Sequence, residues 1–136
     1  MYLKIGELAA RAGCLPETIR FYEQQGLLPA PGRSAGNYRL YDRSHEARLT
    51  FIRRCRSLGM SLGEVKSLLL FQDNPDQPCL GVDALVDQHM SQIQQQMAEL
   101  LALQEELARL RASCRHGASV RECEILRGLA TLPPAP

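Results

Sequence analysis

Apolar positions recur every seven residues along 82–113, a stretch that contains neither Pro nor Gly. One ladder of this repeat is formed by Val86, Ile93, Leu100 and Leu107. A second ladder, four residues behind, holds Val82, Leu103 and Leu110, with His89 and Gln96 as its polar members. This is the a/d pattern of a coiled coil, sustained for about four heptads. So narrow an apolar stripe predicts a partner helix, most simply a second copy of the chain.

Cysteines flank this predicted helix on both sides. Cys79 precedes it, Cys114 closes it, and Cys123 follows nine residues later. At about 1.5 Å per residue, the 35 residues from Cys79 to Cys114 span roughly 50 Å, so these two thiols of one chain cannot meet. If two copies pair antiparallel, Cys79 of one lies beside Cys114 and Cys123 of the other. The spacing thus predicts two equivalent three-thiol sites in a twofold dimer.

The N-terminal part predicts short helices and a small hairpin. A first helix is expected at Ile5–Ala12, and Pro16 begins a second helix that stops before Gly26. Two short helices joined by a tight turn form a helix-turn-helix. Alternation around Tyr38, after a Gly-Asn turn signal, predicts a two-stranded wing. Within this part, we expect Phe21 and Tyr41 to lie in the core.

Two further helices follow the wing. Asp42 or Ser44 is expected to cap a helix over 46–58, whose inward positions are Leu49, Ile52, Cys55 and Leu58. A capping box at Ser61 begins a fourth helix that runs to about residue 71. A last short helix is expected over 122–129.

Charge divides the chain into two halves. Residues 1–70 hold 11 Lys and Arg against 6 Asp and Glu, whereas residues 71–136 hold 5 against 9. A basic N-terminal half predicts contact with a polyanion. Because no apolar run could cross a bilayer and the N-terminus lacks the form of a signal peptide, we expect a cytoplasmic protein with no membrane partner. Its five cysteines then favour metal or redox chemistry over disulfides.

Several short motifs occur together in the N-terminal half. They are Ile5-Gly6-Glu7-Leu8-Ala9, Thr18-Ile19-Arg20-Phe21-Tyr22-Glu23, Gly26-Leu27-Leu28-Pro29 and Asn37-Tyr38-Arg39-Leu40-Tyr41. In combination they resemble the MerR family of transcriptional regulators, and the likeness covers nearly the whole chain. The segments 51–58, 75–79 and 114–123 resemble the branch that senses divalent heavy metals, and within it the lead- and cadmium-responsive members.

The residue pattern and the resemblance together predict a mainly α fold with a defined order of parts. These are a winged helix-turn-helix DNA-binding domain (1–71), a linker loop with Cys79 (72–81), an antiparallel coiled-coil dimerisation helix (82–113), a metal-binding loop with a short helix (114–130) and a disordered tail (131–136). The resemblance also implies a homodimer on double-stranded promoter DNA. Metal binding would distort that DNA and so let RNA polymerase transcribe heavy-metal resistance genes.

The contacts to DNA are expected from three elements. The side chains are Thr18, Arg20 and Tyr22 in the second helix, Arg33, Asn37, Tyr38 and Arg39 in the wing, and Arg53 and Arg56 in the third helix. Arg suits guanine edges or phosphates, and hydroxyl groups suit phosphates. Phosphate contacts would make binding fall steeply with salt.

The metal ligands are expected to be Cys79, Cys114 and Cys123. Three thiolates without an obvious fourth ligand suit a soft divalent ion, Pb(II) or Cd(II) first, with Hg(II) or Zn(II) as alternatives. His89 and His116 are candidates for an additional ligand. Cys55, on an inward helix face, is expected to be structural, as a buried free Cys commonly is, and Cys14 to pack in the helix-turn-helix turn or stay exposed.

Alternative functions remain open at this point. One is an Hg(II)-responsive regulator of the same family. Others are a coiled-coil protein that buffers metal without binding DNA, and a redox sensor that uses Cys114 and Cys123. An enzyme is not expected, because the chain shows neither a nucleophile–base constellation nor a phosphate-cradling Gly-rich loop.

Overall fold

The computed structural model describes residues 1–117 and 119–132. Its elements are α1 (Ile5–Ala12), α2 (Pro16–Gln24), β1 (Gly32–Arg33), β2 (Arg39–Leu40), α3 (Arg43–Ser57), α4 (Leu62–Gln72), α5 (Leu80–Ala112) and α6 (Glu124–Leu129), with a 3-10 turn at Val120–Glu122 before α6. The chain divides into two compact units, Met1–Leu85 and Val86–Pro136. Four of the six residues of the predicted tail, 133–136, lie outside the described residues.

The first unit has a single apolar core built by α1 to α4. Its most deeply buried side chains are Leu8, Ile19, Leu27, Tyr41, Leu49, Ile52, Val65 and Leu69. Val82 and Leu85, from the first two turns of α5, pack against the same core. The beginning of the long helix is therefore part of the first unit.

The predicted helix-turn-helix and wing are both present. Gly13 ends α1 in the left-handed region, with φ of 70°, which a residue with a Cβ adopts only at a cost. β1 and β2 pair antiparallel, with Gly32 opposite Leu40. Main-chain bonds of 2.7 and 2.8 Å between Leu3 and Tyr41 attach the N-terminus to this hairpin. The mainly helical fold with a small wing is thus confirmed.

Helix α3 begins earlier than its sequence pattern predicted. Asp42 is its cap, and one carboxylate oxygen accepts the main-chain N–H groups of Ser44 at 2.9 Å and His45 at 3.3 Å. The inward positions are as predicted except for Leu58, which is 48% exposed. The core prediction is right for Tyr41 and wrong for Phe21, 42% of whose surface is exposed.

Asp42 is expected to make the fold sensitive to acid. Hydrogen bonds from Ser44 and His45 lower the pKa of Asp42 from 3.8 to about 2. Because the folded state holds the lower pKa, the stabilising effect is complete above about pH 4 and is lost as pH falls through 2. We expect Asp42→Ala to lower Tm by several degrees at pH 6, and the gap to the unmodified chain to close near pH 2. Asp76→Ala is the control for a lost carboxylate, and a gap that is independent of pH would contradict the assignment.

Helix α5 is a single helix of 33 residues, about 50 Å long. It begins at Leu80, two residues before the predicted start at Val82, so that Gly81 lies inside its first turn. Near its other end, α6 approaches closely: a Cβ at Gly128 would stand 2.8 Å from Leu110 Cδ2. Among the described residues, no helix is both long and apolar enough to cross a membrane.

Candidate metal centre and nucleic-acid interface

A cationic groove runs along the helix-turn-helix. It is lined by Cys14, Leu15, Thr18, Tyr22, Arg53, Arg56 and Ser57. Arg53 donates from Nη1 to the carbonyl of Ala12 at 2.6 Å, and Arg56 from Nη1 to the carbonyl of Met60 at 2.9 Å. Both guanidinium groups are therefore held in place by main-chain acceptors before any ligand arrives.

The three side chains predicted at DNA on α2 differ in exposure. Arg20 is exposed and lies 3.9 Å from the carboxylate of Glu17. Thr18 is half-buried in the groove, and Tyr22 is 7% exposed and belongs to the core. Arg20 is thus the α2 side chain that is free to reach a base edge, while Thr18 and Tyr22 offer at most their groove-facing atoms.

The wing side chains are organised by short polar contacts. Arg33 donates to the carbonyl of Asn37 at 3.1 Å, across a turn in which Asn37 has φ of 65°. Tyr38 is 64% exposed, and the Lys4 ammonium lies 5.3 Å from its ring centre. These groups present a cationic surface with accessible hydroxyl and amide groups, which suits a phosphate backbone.

Glu23 connects the wing with α2, a role that the sequence did not reveal. Its carboxylate accepts the hydroxyl of the buried Tyr41 and lies 3.6 Å from Arg39 Nη1. Burial, and then the bond to Glu23, raise the pKa of Tyr41 to about 12. The guanidinium of Arg39 is therefore held against Glu23, and its side chain is 37% exposed. Only the position of Glu23 inside a family-like motif could have drawn attention to it.

Cys114 and Cys123 are brought together in one loop. Both are half-buried and line the same surface pocket, together with Arg115, His116, Gly117, Ser119, Val120, Glu122 and Glu124. The Glu122 carboxylate covers Gly117, where a Cβ would stand 3.2 Å from Oε2. The loop thus holds two soft donors, with hard oxygen donors beside them.

Cys79 lies in the first unit, at the start of α5. It is exposed, and its carbonyl accepts the N–H of Asp83 at 3.1 Å, so it belongs to the first helical turn. Within the described part of one chain, no three His, Cys, Asp or Glu side chains are grouped to hold a metal ion. The donor chemistry of the Cys114 and Cys123 loop fits a soft ion, and the third predicted thiol, Cys79, belongs to the first unit.

Both end cysteines continue the apolar ladder of α5. Cys79 lies seven residues before Val86, and Cys114 lies seven residues after Leu107. The ladder residues between them are accessible in the single chain, from 36% for Val86 to 66% for Leu100. A left-handed supercoil keeps such a ladder on one face, so the thiols would share the face that meets a partner helix.

The other Cys residues and the two candidate His ligands differ in burial and position. Cys55 is 6% exposed, and burial raises the pKa of its thiol, as expected for a structural Cys. Cys14 is half-buried against the core of the first unit. His89 is 7% exposed, whereas His116 is exposed in the loop with φ of 52°. Of the two His candidates, His116 is the one that lines the pocket of Cys114 and Cys123.

Comparison with known proteins shows which family this chain matches. A profile described as MerR HTH family regulatory protein matches residues 3–72, and one described as MerR, DNA binding matches 46–110. The HTH-type transcriptional regulator ZntR homolog of Haemophilus influenzae is 44% identical over 109 residues, which are 80% of this chain and 81% of that protein.

The chain belongs to the MerR family.

Solved structures of MerR proteins agree with this assignment. The transcription regulator PbrR691 of Ralstonia metallidurans CH34, in complex with lead(II), is 52% identical, with a TM-score of 0.86 over 93% of this chain and 98% of that one. The regulator MerR of Bacillus megaterium MB1, in complex with mercury(II), is 30% identical, with a TM-score of 0.73 over 95% of this chain and all of that one.

Several predictions from the sequence are thereby confirmed. The chain is a metal-responsive transcriptional regulator of the MerR family, and it is not an enzyme. Family membership removes the alternative of a coiled-coil protein that buffers metal without binding DNA. The choice among metals, the metal ligands and the individual DNA contacts stay predictions.

Proposed function

We propose that this MerR protein is a homodimeric activator of heavy-metal resistance genes that responds to Pb(II) or Cd(II) through Cys79, Cys114 and Cys123. Regulators of the family act as homodimers on promoter DNA, and we place this one in the cytoplasm with RNA polymerase at the same promoter. The observation that carries the proposal is the shared heptad phase of Cys79, Cys114 and the exposed apolar ladder between them.

This common heptad phase favours one register between two paired copies of α5. In a twofold antiparallel pair, the register that sets Cys79 opposite Cys114 of the second copy also sets Val86 opposite Leu107 and Ile93 opposite Leu100. All the apolar side chains of the ladder are then buried between the two helices, with a Cys thiol at each end. Cys123 joins Cys114 from the loop, so each site would hold two thiols from one chain and one from the other.

The choice of ion follows from the donors and from similarity. Three soft thiolates favour thiophilic ions, and a pyramidal three-thiolate set suits Pb(II). The loop could add an oxygen donor from Glu122 or Glu124, which line the same pocket as the two cysteines, as Cd(II) commonly requires. PbrR691, with bound lead(II), is more similar to this chain than MerR of Bacillus megaterium, with bound mercury(II), which supports Pb(II) over Hg(II).

The DNA side of the function uses the groove and the wing. Arg20, Arg53 and Arg56 would contact DNA from the helices, and Arg33 and Arg39 would contact its backbone from the wing. An ion that binds one arrangement of the dimer more tightly shifts the dimer toward it, and the difference in binding free energy is available to deform the promoter. We propose that this deformation realigns the polymerase elements.

Titration of the reduced protein with Pb(II), Cd(II), Hg(II) and Zn(II) tests the proposal. We expect thiolate-to-metal charge-transfer absorption that saturates at about one ion per chain, because a twofold dimer holds two sites. Competition among the four ions should rank Pb(II) or Cd(II) first in the activation of transcription from the operator. Saturation without any change in transcription would contradict the proposed function. Activation by Hg(II) alone would show that the protein responds to Hg(II) and not to Pb(II) or Cd(II).

A further inference from the structure

The first turn of α5 lies directly on the ring of Phe71, in the last turn of α4. A Cβ atom added to Gly81 would stand 2.4 Å from Phe71 Cζ and 2.7 Å from Cε1, closer than real Cβ atoms come. The contact is therefore made between main chain and ring, and no side chain of α5 lies between them to absorb movement. We call this contact the Gly81–Phe71 joint.

On one side of the joint lies a proposed metal ligand. Cys79 precedes Gly81 by two residues, and the bond from Asp83 N–H to the Cys79 carbonyl closes the turn that contains both. A helical turn is stiff, because its main-chain dihedral angles are fixed by such bonds. A displacement of Cys79 therefore displaces Gly81 with it.

On the other side lies the DNA-binding part of the first unit. Leu68 and Leu69, next to Phe71 on α4, are buried in the core, and α4 packs on α3. Helix α3 carries Arg53 and Arg56 of the cationic groove. Close-packed side chains transmit displacement rather than absorb it. A shift of Phe71 therefore reaches the groove through two packed helices.

We propose that Phe71 and Gly81 are the positioning residues through which an ion bound at Cys79 acts on the DNA-binding unit. This inference rests on the proposed function, which supplies the ion at Cys79. The joint depends on the direct contact between Gly81 and the ring. With a smaller side chain at 71, the first turn of α5 would move into the vacated space and leave α4 in place.

The test compares Phe71→Ala with Leu70→Ala, a matched loss from the same turn of α4 whose side chain is 60% exposed. For each protein we would measure ions bound per chain, operator affinity without metal, and metal-dependent transcription in vitro. Phe71→Ala should bind as many ions per chain as the unmodified protein and bind the operator without metal as tightly. Its activation by metal should fall about tenfold, a size of change typical of residues that couple two sites. Leu70→Ala should resemble the unmodified protein in all three.

A compensating pair separates coupling from folding. Phe71→Leu combined with Gly81→Ala restores the contact with a methyl group from the other side, so the double variant should recover activation that Phe71→Leu alone loses. Normal activation in Phe71→Ala would overturn the joint, and so would normal activation in Phe71→Leu if Phe71→Ala fails to fold. Absence of ion binding or activation in the unmodified protein would instead overturn the proposed function.

Discussion

Replacing Cys79 with Ser is expected to abolish the response to metal and to leave operator binding without metal intact. A hydroxyl group stays protonated near neutral pH and is a poor donor to a soft ion, so the site loses one of its three ligands. Because even groups behind the ligands alter affinity by about 10–100-fold, we expect a loss of at least about 100-fold. Charge-transfer absorption and metal-dependent transcription measure it. Asp76→Ser, in the same exposed loop three residues earlier, is the control. Loss of operator binding in Cys79→Ser would show that Cys79 is structural.

Mixing two defective chains tests whether the site is shared. Chains with Cys79→Ser are combined with chains in which both Cys114 and Cys123 are replaced by Ser. In an antiparallel dimer, each mixed dimer regains one complete site, whereas sites within a single chain would never be restored. Random mixing makes half of the dimers mixed, so we expect about a quarter of the original ion capacity. No recovery after unfolding and refolding the mixture together would contradict the shared site.

Leu100→Asp is expected to dissociate the proposed dimer. Leu100 would face Ile93 of the second copy at the centre of the ladder, and each dimer would carry the substitution twice. Loss of two buried Leu side chains at about 2 kcal/mol each, with added desolvation of two carboxylates, predicts dissociation constants at least about 1,000-fold higher. Sedimentation velocity measures the state of association, and operator binding should fall with it.

Gln94→Asp is the matched control for that substitution. It adds the same carboxylate one position after Ile93, on a face of α5 away from the ladder. It should leave both dimer and operator binding unchanged. A dimer that survives Leu100→Asp would show that the apolar ladder is not the interface.

The periodic features of the sequence predicted most of the fold. Seven-residue repeats gave the long helix, and the cap and turn residues gave α1, α2 and the wing. The start of α5 was placed late, because Gly81 resembles a helix breaker until the ring of Phe71 is seen against it. Phe21 was misplaced because α2 buries Ile19 and Tyr22, and local pattern does not decide which of two adjacent aromatic rings faces inward.

The candidate site was predictable to the extent that it depends on spacing along the chain. Cys79 and Cys114 could be assigned to opposite ends of a rod from their separation alone. The burial of Tyr22 and the ion pair between Arg39 and Glu23 could not, because both depend on how segments distant in the sequence pack together. Contacts between distant segments leave no period in a single sequence.

The common phase of Cys79, the ladder and Cys114 restricts how α5 can change in length during evolution. Both copies of a homodimer inherit the same insertion or deletion, so a change of seven residues lengthens or shortens the two rods equally and keeps every sulfur opposite its counterpart. A change of one residue turns one end about 100° relative to the other and carries a sulfur off the seam. Descendants of this protein that still sense metal should therefore differ in this helix by whole heptads.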